Sequence, residues 1–229
     1  MTIKENLKII QEKIDRARQG KNQKIEIVAV TKKQPFSIIQ ECYTAGILSI
    51  GENKIQEATK KLSKKTKTLP IKKRFIGHLQ TNKVNKCVEL FNTIDSVDSV
   101  KLSEKINNRA HQTNQTFPVL LEVNTSQETQ KFGFFPEEID KMLECFTYKN
   151  LKIQGLMTIA PANQKEKEAR KSFSLLKETQ EKVNKQRPSD YAEITELSMG
   201  MSNDFEIAVE EGSTQVRIGT ALVGKRMVL

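Results

Sequence analysis

The chain has 229 residues, 37% hydrophobic and 29% charged, and its 38 Lys and Arg against 28 Asp and Glu give a formal charge of +10. This length is near the upper limit for one hydrophobic core, which predicts a single domain over residues 1–229. No apolar run approaches the ~20 residues that cross a bilayer, and the opening MTIKENLKIIQEK lacks the apolar stretch of a secretory signal, so membrane and secreted classes are disfavoured.

Cys42, Cys87 and Cys145 are odd in number and widely spaced, which rules out a disulfide framework, and two histidines leave few ligands for zinc. A reducing cytoplasm follows as the expected location. The positive charge permits a polyanion partner, but it is carried mainly by lysine. Its densest group, Lys60, Lys61, Lys64, Lys65 and Lys67, reads as an exposed helix end. With no Trp to stack on bases, no nucleic acid is expected.

Hydrophobic periodicity predicts a helix first, with Ile3, Leu7, Ile10, Ile14 and Ala17 on one face and Thr2 with Glu5 as a capping box. Strands are predicted at Ile25–Thr31, Ile47–Ile50, Arg74–Ile76, Asn92–Ile94, Pro118–Val123, Leu151–Leu156, Glu193–Leu197 and Gln215–Ile218. Between them fall helices bearing Ile39 and Cys42 (closed by Gly46), Ile55, Ala58 and Leu62, and then Val84, Cys87 and Val88. The next helix is capped by Asp98 and carries Leu102, Ile106 and Ala110. Another starts at Pro136 and carries Met142 and Phe146. A long helix bears Ala169, Phe173, Leu176 and Val183, and a short one runs from Phe205 to Gly212. Eight strands alternating with helices predict a (β/α)8 barrel, a TIM barrel with one extra N-terminal helix. An open doubly wound sheet competes, but no GxGxxG follows the first strand.

Barrels of this kind carry their chemistry at the C-terminal ends of the strands. Lys32 stands there and shares parity with Val28 and Val30. A desolvated lysine at that place can join an aldehyde; the alternative is a lysine that simply emerges into water. Ser198-Met-Gly-Met-Ser202 and Ile218-Gly-Thr220 follow strands seven and eight, where such barrels hold phosphate, although βα turns also favour Gly and Ser. Arg217 inside a strand needs either a ligand or a carboxylate partner. His78 reads as a loop residue facing a ligand ring or merely filling space, and Met199 and Met201 read as packing residues.

Six segments carry a family resemblance: Val28-Ala-Val-Thr-Lys-Lys33, Ile50-Gly-Glu-Asn53, Phe75-Ile-Gly-His-Leu-Gln-Thr-Asn-Lys83, Gly155-Leu-Met157, Leu197-Ser-Met-Gly-Met-Ser202 and Val216-Arg-Ile-Gly-Thr-Ala221. Spread in order over nearly the whole chain, they resemble the pyridoxal phosphate homeostasis proteins, whose fold is that of the alanine racemase N-terminal barrel. The resemblance implies that Lys32 holds pyridoxal 5'-phosphate as an internal aldimine. It places Ser198, Gly219 and Thr220 around the phosphate and Arg217 near the pyridine nitrogen. Asn53, His78 and Met157 line the pocket less directly, and Lys131 matches a further family lysine for transient cofactor handling. The implied role is storage, buffering or delivery of the cofactor, with apoenzymes or amino acids as acceptors; a monomer is expected, because without a second domain the usual racemase dimer contact is missing. An amino-acid racemase and a cofactor-free Schiff-base aldolase are the enzymatic alternatives.

The chain departs from the family pattern at three places. Gln34 stands where many members have lysine, Arg74 precedes Phe75 where an aromatic or histidine is common, and the tail Gly224-Lys-Arg-Met-Val-Leu229 lacks the frequent Arg-x-Tyr ending. An accessory lysine relay is therefore in doubt, whereas the implied aldimine and phosphate positions are untouched. A racemase also needs a second base, and Tyr43, Tyr148 and Tyr191 fall in or near helices and connections rather than at the strand ends. The chain stops soon after the eighth strand, so the β-rich domain that helps offer that base in alanine racemase is expected to be missing.

Overall fold

Buried polar side chains such as Arg74, Asp95, Ser198, Gln215 and Arg217 lie on the strands, and this determines how the strands read. The computed structural model describes residues 1–62, 69–126, 128, 130–161 and 165–224; Lys64, Lys65, Lys67 and the tail after Gly224 lie outside them. In chain order the elements are α1 (Ile3–Ala17), β1 (Glu26–Val30), α2 (Phe36–Thr44), β2 (Ser49–Glu52), α3 (Ile55–Leu62), β3 (Lys72–Phe75), α4 (Val84–Leu90), β4 (Thr93–Val97) and α5 (Val100–Gln112). Then come β5 (Phe117–Glu122), α6 (Ile139–Glu144), β6 (Leu151–Met157), α7 (Glu166–Gln186), β7 (Glu196–Met201), α8 (Phe205–Glu210), β8 (Gln215–Ile218) and α9 (Thr220–Val223). The strands pair in parallel from β1 to β8, and β8 pairs back with β1, closing the barrel that the alternation predicts.

Outward strand residues such as Ala29, Ile50, Phe75, Ile94 and Leu121 join helix residues such as Ile39, Leu102 and Phe173 in one apolar layer. Each large aliphatic or aromatic side chain buried there stabilises the fold by about 1.5–3 kcal/mol. The inward face differs. Arg74 on β3 reaches Asp95 on β4 at 3.1 Å, Glu26 on β1 at 2.7 Å and Glu196 on β7 at 3.4 Å. Strands β1 and β7 do not neighbour β3, so these contacts cross the barrel's interior. The departure at Arg74 thus fills the lower barrel with a charge cluster, and the carboxylates raise the guanidinium's pKa against the effect of burial.

Several expected boundaries move for the same reason. Strand β2 lies at Ser49–Glu52 rather than Ile47–Ile50, β4 at Thr93–Val97 rather than Asn92–Ile94, and β7 at Glu196–Met201 rather than Glu193–Leu197. In each the polar residues that suggested a strand end are buried strand residues. Ser99, not Asp98, caps α5 by accepting from the Leu102 amide. Pro136 lies in a turn, and α6 begins at Ile139. The short α9 had no periodic signal. Lys61, expected on an exposed helix end, is buried in the last turn of α3, while Lys60 is exposed.

The N-terminal helix forms as its pattern requires. Glu5 N–H donates to Thr2 Oγ1 at 3.3 Å and Thr2 N–H to Glu5 Oε2 at 2.8 Å, completing the capping box. Its buried face packs on α8 and α9, where Asn6 Nδ2 donates to the Leu222 carbonyl at 2.9 Å. The helix therefore braces the last two loops of the barrel mouth. No helix among the described residues is long and apolar enough to cross a membrane.

Candidate functional site

Parallel strands deliver their C-terminal ends to one face, and the loops that follow enclose a cavity of about 530 Å³. Val30 and Lys32 contribute from the end of β1, Ile159 to Pro161 from beyond β6, Met201 from the last position of β7 and Ser202 to Asp204 from beyond it, and Arg217, Gly219 and Thr220 from the end of β8. Lys131, between β5 and α6, completes the wall. Three cationic side chains thus meet at one opening. A water-sized recess of about 20 Å³ behind them is lined by Lys32, Gln34, Gly219 and Thr220. Gln34 is buried there, in the place where a lysine would have added a fourth charge.

Lys32 sits half-buried in the turn that follows β1. The Thr31 amide continues the sheet by donating to the Gly51 carbonyl at 3.1 Å, and Gln34 N–H closes the turn on the Thr31 carbonyl at 3.0 Å. On the far wall, Lys131 pairs with Glu128 at 2.7 Å and lies 3.4 Å from the Ala160 carbonyl.

Arg217 is buried and reaches the cavity from β8. Its Nη1 donates to Ser198 Oγ at 2.8 Å and its Nη2 to the Thr158 carbonyl at 2.8 Å. Thr158 is itself fixed, donating from Oγ1 to the Val123 carbonyl at 2.7 Å. Burial lowers the guanidinium's pKa, while Asp95, Glu122 and Asp204 pull it up; an arginine remains cationic through such a shift. Glu122, at the end of β5, is pushed up to about 7, mainly by burial and further by Asp98, with Arg217 acting the other way. Asp204 is also raised by burial, against the Met201 amide that its carboxylate accepts at 2.5 Å.

Of the residues singled out from sequence, Lys32, Arg217, Gly219, Thr220 and Lys131 line the cavity together. Ser198 stands behind it, in β7, with its hydroxyl committed to Arg217 and Gln215 rather than turned to the opening. Met157 is buried beside it, paired in register with Ser198 and Glu122. Asn53 backs the β2 loop: a Cβ on Gly77 would lie 2.4 Å from the Asn53 carbonyl oxygen, so only glycine lets the two loops approach. His78 is exposed, 3.0 Å from Asp98 through Nδ1, and stacks on Phe132 with ring centroids 3.6 Å apart.

Ser202 falls in the segment singled out after β7, whereas Asn203 and Asp204 were missed as wall residues because β7 runs further than its apolar pattern. Gly200, at φ +93°, makes that bend possible, since a Cβ there would meet Ala208 Cβ at 2.6 Å. Glu122 was missed because a lone carboxylate at a strand end carries no spacing signal.

A family model described as the alanine racemase N-terminal domain matches residues 3–227. The pyridoxal phosphate homeostasis protein of Aquifex aeolicus is 39% identical over 221 residues, 96% of this chain and 95% of its own length. The human protein of that name is 39% identical over 212 residues, 87% of this chain and 76% of its own length. The structure of PipY from Synechococcus elongatus PCC7942 with PLP bound is similar at a TM-score of 0.85 and 31% identity, covering 97% of this chain and all of that one (100%). An alanine racemase from Clostridium difficile 630, 15% identical with a TM-score of 0.72, shares the fold alone. With the barrel matched from end to end and relatives this similar over nearly their full length, the chain belongs to the alanine racemase N-terminal domain family and, within it, to the pyridoxal phosphate homeostasis proteins.

Proposed function

We propose that this chain is a single-domain cytoplasmic barrel, acting as a monomer, that reversibly binds pyridoxal 5'-phosphate at Lys32 and so stores, buffers or delivers it. The observation that carries this reading is the convergence of Lys32, Lys131, Arg217, Gly219 and Thr220 on one cavity of about 530 Å³. That volume suits a small ligand. The donor set suits the chemistry: an amine for the aldehyde, cations for the phosphate charge, and a glycine that admits close backbone approach.

The Lys32 amine adds to the aldehyde carbon and the aldehyde oxygen leaves as water; water or a second amine at the same carbon reverses the link. The amino group of an amino acid, or the lysine of an apoenzyme, serves as that second amine. Gly219 and Thr220, which line the cavity with Lys32, would hold the phosphate. Ser198 contributes from behind, by holding Arg217.

Pyridoxal phosphate stabilises carbanions when its ring nitrogen is protonated. The family resemblance puts Arg217 near that nitrogen; an always-cationic group there would keep it unprotonated and restrain this chemistry. Among the described residues no tyrosine lines the cavity to act as a second base. Tyr191 Oη accepts from the Ile153 amide at 2.7 Å, near the start of β6 and away from the mouth. The cavity lining and the position of Tyr191 support a carrier over a racemase.

The test is transfer without turnover. Protein loaded with pyridoxal phosphate should restore activity to a dependent apoenzyme. Incubated with amino acids in heavy water, it should place no deuterium at Cα. Deuterium incorporation that disappears with Lys32→Ala would contradict the carrier reading.

A further inference from the structure

Lys61 occupies a position that a surface lysine would not choose. It lies in the last turn of α3 with its side chain 7% exposed. A buried ammonium costs several kcal/mol unless its protons are taken up. Here all three are: Nζ donates to Glu52 Oε1 at 2.6 Å, to the Thr31 carbonyl at 2.7 Å and to Glu57 Oε1 at 3.0 Å.

The two carboxylates then grip the residues on either side of Lys32. Glu52, fully buried, also accepts from Thr31 Oγ1 at 2.6 Å, and Glu57 accepts from the Lys33 amide at 2.5 Å. Thr31 is thus held through both hydroxyl and carbonyl, and Lys33 through its amide. Lys33 has φ +58°, a left-handed conformation that costs a non-glycine residue about 1–2 kcal/mol and needs outside support. Glu52 Oε2 is buried without a hydrogen-bond partner, so this carboxylate depends on Lys61 and Thr31 through its other oxygen. None of Thr31, Glu52, Glu57 and Lys61 lines the cavity.

We propose that Lys61, through Glu52 and Glu57, is a positioning residue that holds the Thr31–Lys33 turn so that the Lys32 amine meets the aldehyde in attack geometry. This rests on the reading of Lys32 as the residue that joins pyridoxal phosphate. Lys61 touches neither ligand nor amine and acts through the backbone on either side of it. It should therefore govern covalent capture and leave ring and phosphate recognition alone.

The two are separated with a pair of ligands. Pyridoxal phosphate reports covalent capture by its visible band in stopped flow. Pyridoxine 5'-phosphate, the alcohol analogue, reports recognition alone by calorimetry. Lys61→Met should slow capture by about tenfold or more, with analogue affinity nearly unchanged, and Lys61→Arg should recover much of the rate. Because Lys61→Met strands a buried carboxylate, the double variant Glu52→Gln/Lys61→Met, neutral at both positions, is measured beside it and should be equally slow. Wild-type capture in either folded variant, equal losses for both ligands, or no recovery with arginine would overturn the proposal. A Lys32→Ala control separates the two readings. An adduct that survives it overturns the assignment of Lys32 and the clamp with it; an adduct lost with Lys32 and untouched by Lys61→Met overturns the clamp alone.

Discussion

Ser198 Oγ lies 2.8 Å from Arg217 Nη1 and 2.7 Å from Gln215 Nε2, so one buried hydroxyl takes two donors and fixes the guanidinium at the cavity floor. Ser198→Ala leaves both donors short of a partner where water does not reach. The expected cost is about 1–3 kcal/mol of stability. Pyridoxal phosphate affinity should fall with it, because Arg217 loses its orientation. Urea unfolding and a binding titration on the same variant check the two effects together.

Arg74 bonds both oxygens of Asp95 and also Glu26, Glu196 and Ser49. Removing it leaves a fully buried carboxylate uncompensated. Arg74→Met should therefore cost about 3–5 kcal/mol. Arg74→Met/Asp95→Asn, which removes the stranded charge as well, should recover part of that loss. Equilibrium denaturation of the single and double variants measures both, and a single variant as stable as wild type would show that the cluster contributes nothing net.

These two clusters explain how far the sequence could be read. Alternation gave eight strands, their parallel order and the leading helix, because Ala29, Ile50, Phe75 and Ile94 face helices and keep their apolar signature. The ends of β2, β4 and β7 were misread because Glu52, Asp95 and Ser198 look like loop residues, although their partners lie on other elements: Lys61, Arg74 and Arg217. Lys32, Arg217, Gly219 and Thr220 were legible as a group because strand ends converge in a barrel and because the motifs resemble a known family. Lys61 was not legible. Its burial is a property of three acceptors brought together by folding, and nothing in a run of lysines marks the one that turns inward.

Burial of the Glu122 carboxyl gives an expected pH dependence of stability whose sign follows from the raised pKa. Its native pKa of about 7 lies above the ordinary 4.5, so the folded protein keeps this proton to higher pH than the unfolded chain does. The contribution is fully present below about 4.5 and is lost as pH rises through about 7. Glu122→Gln stays neutral throughout. Its melting temperature relative to wild type should therefore climb between pH 5 and pH 8, with the variant the more stable at the upper end. A difference that stays flat would show that Glu122 is ionised normally in the folded chain.

Lys32, and not its cavity neighbour Lys131, is proposed to join the aldehyde. The most direct measurement mixes the protein with pyridoxal phosphate, records the visible spectrum, reduces with borohydride and maps the labelled peptide. The expected result is a yellow protein with the label on Lys32 and none in Lys32→Ala. A label on Lys131, or a colourless and unlabelled protein, would contradict it.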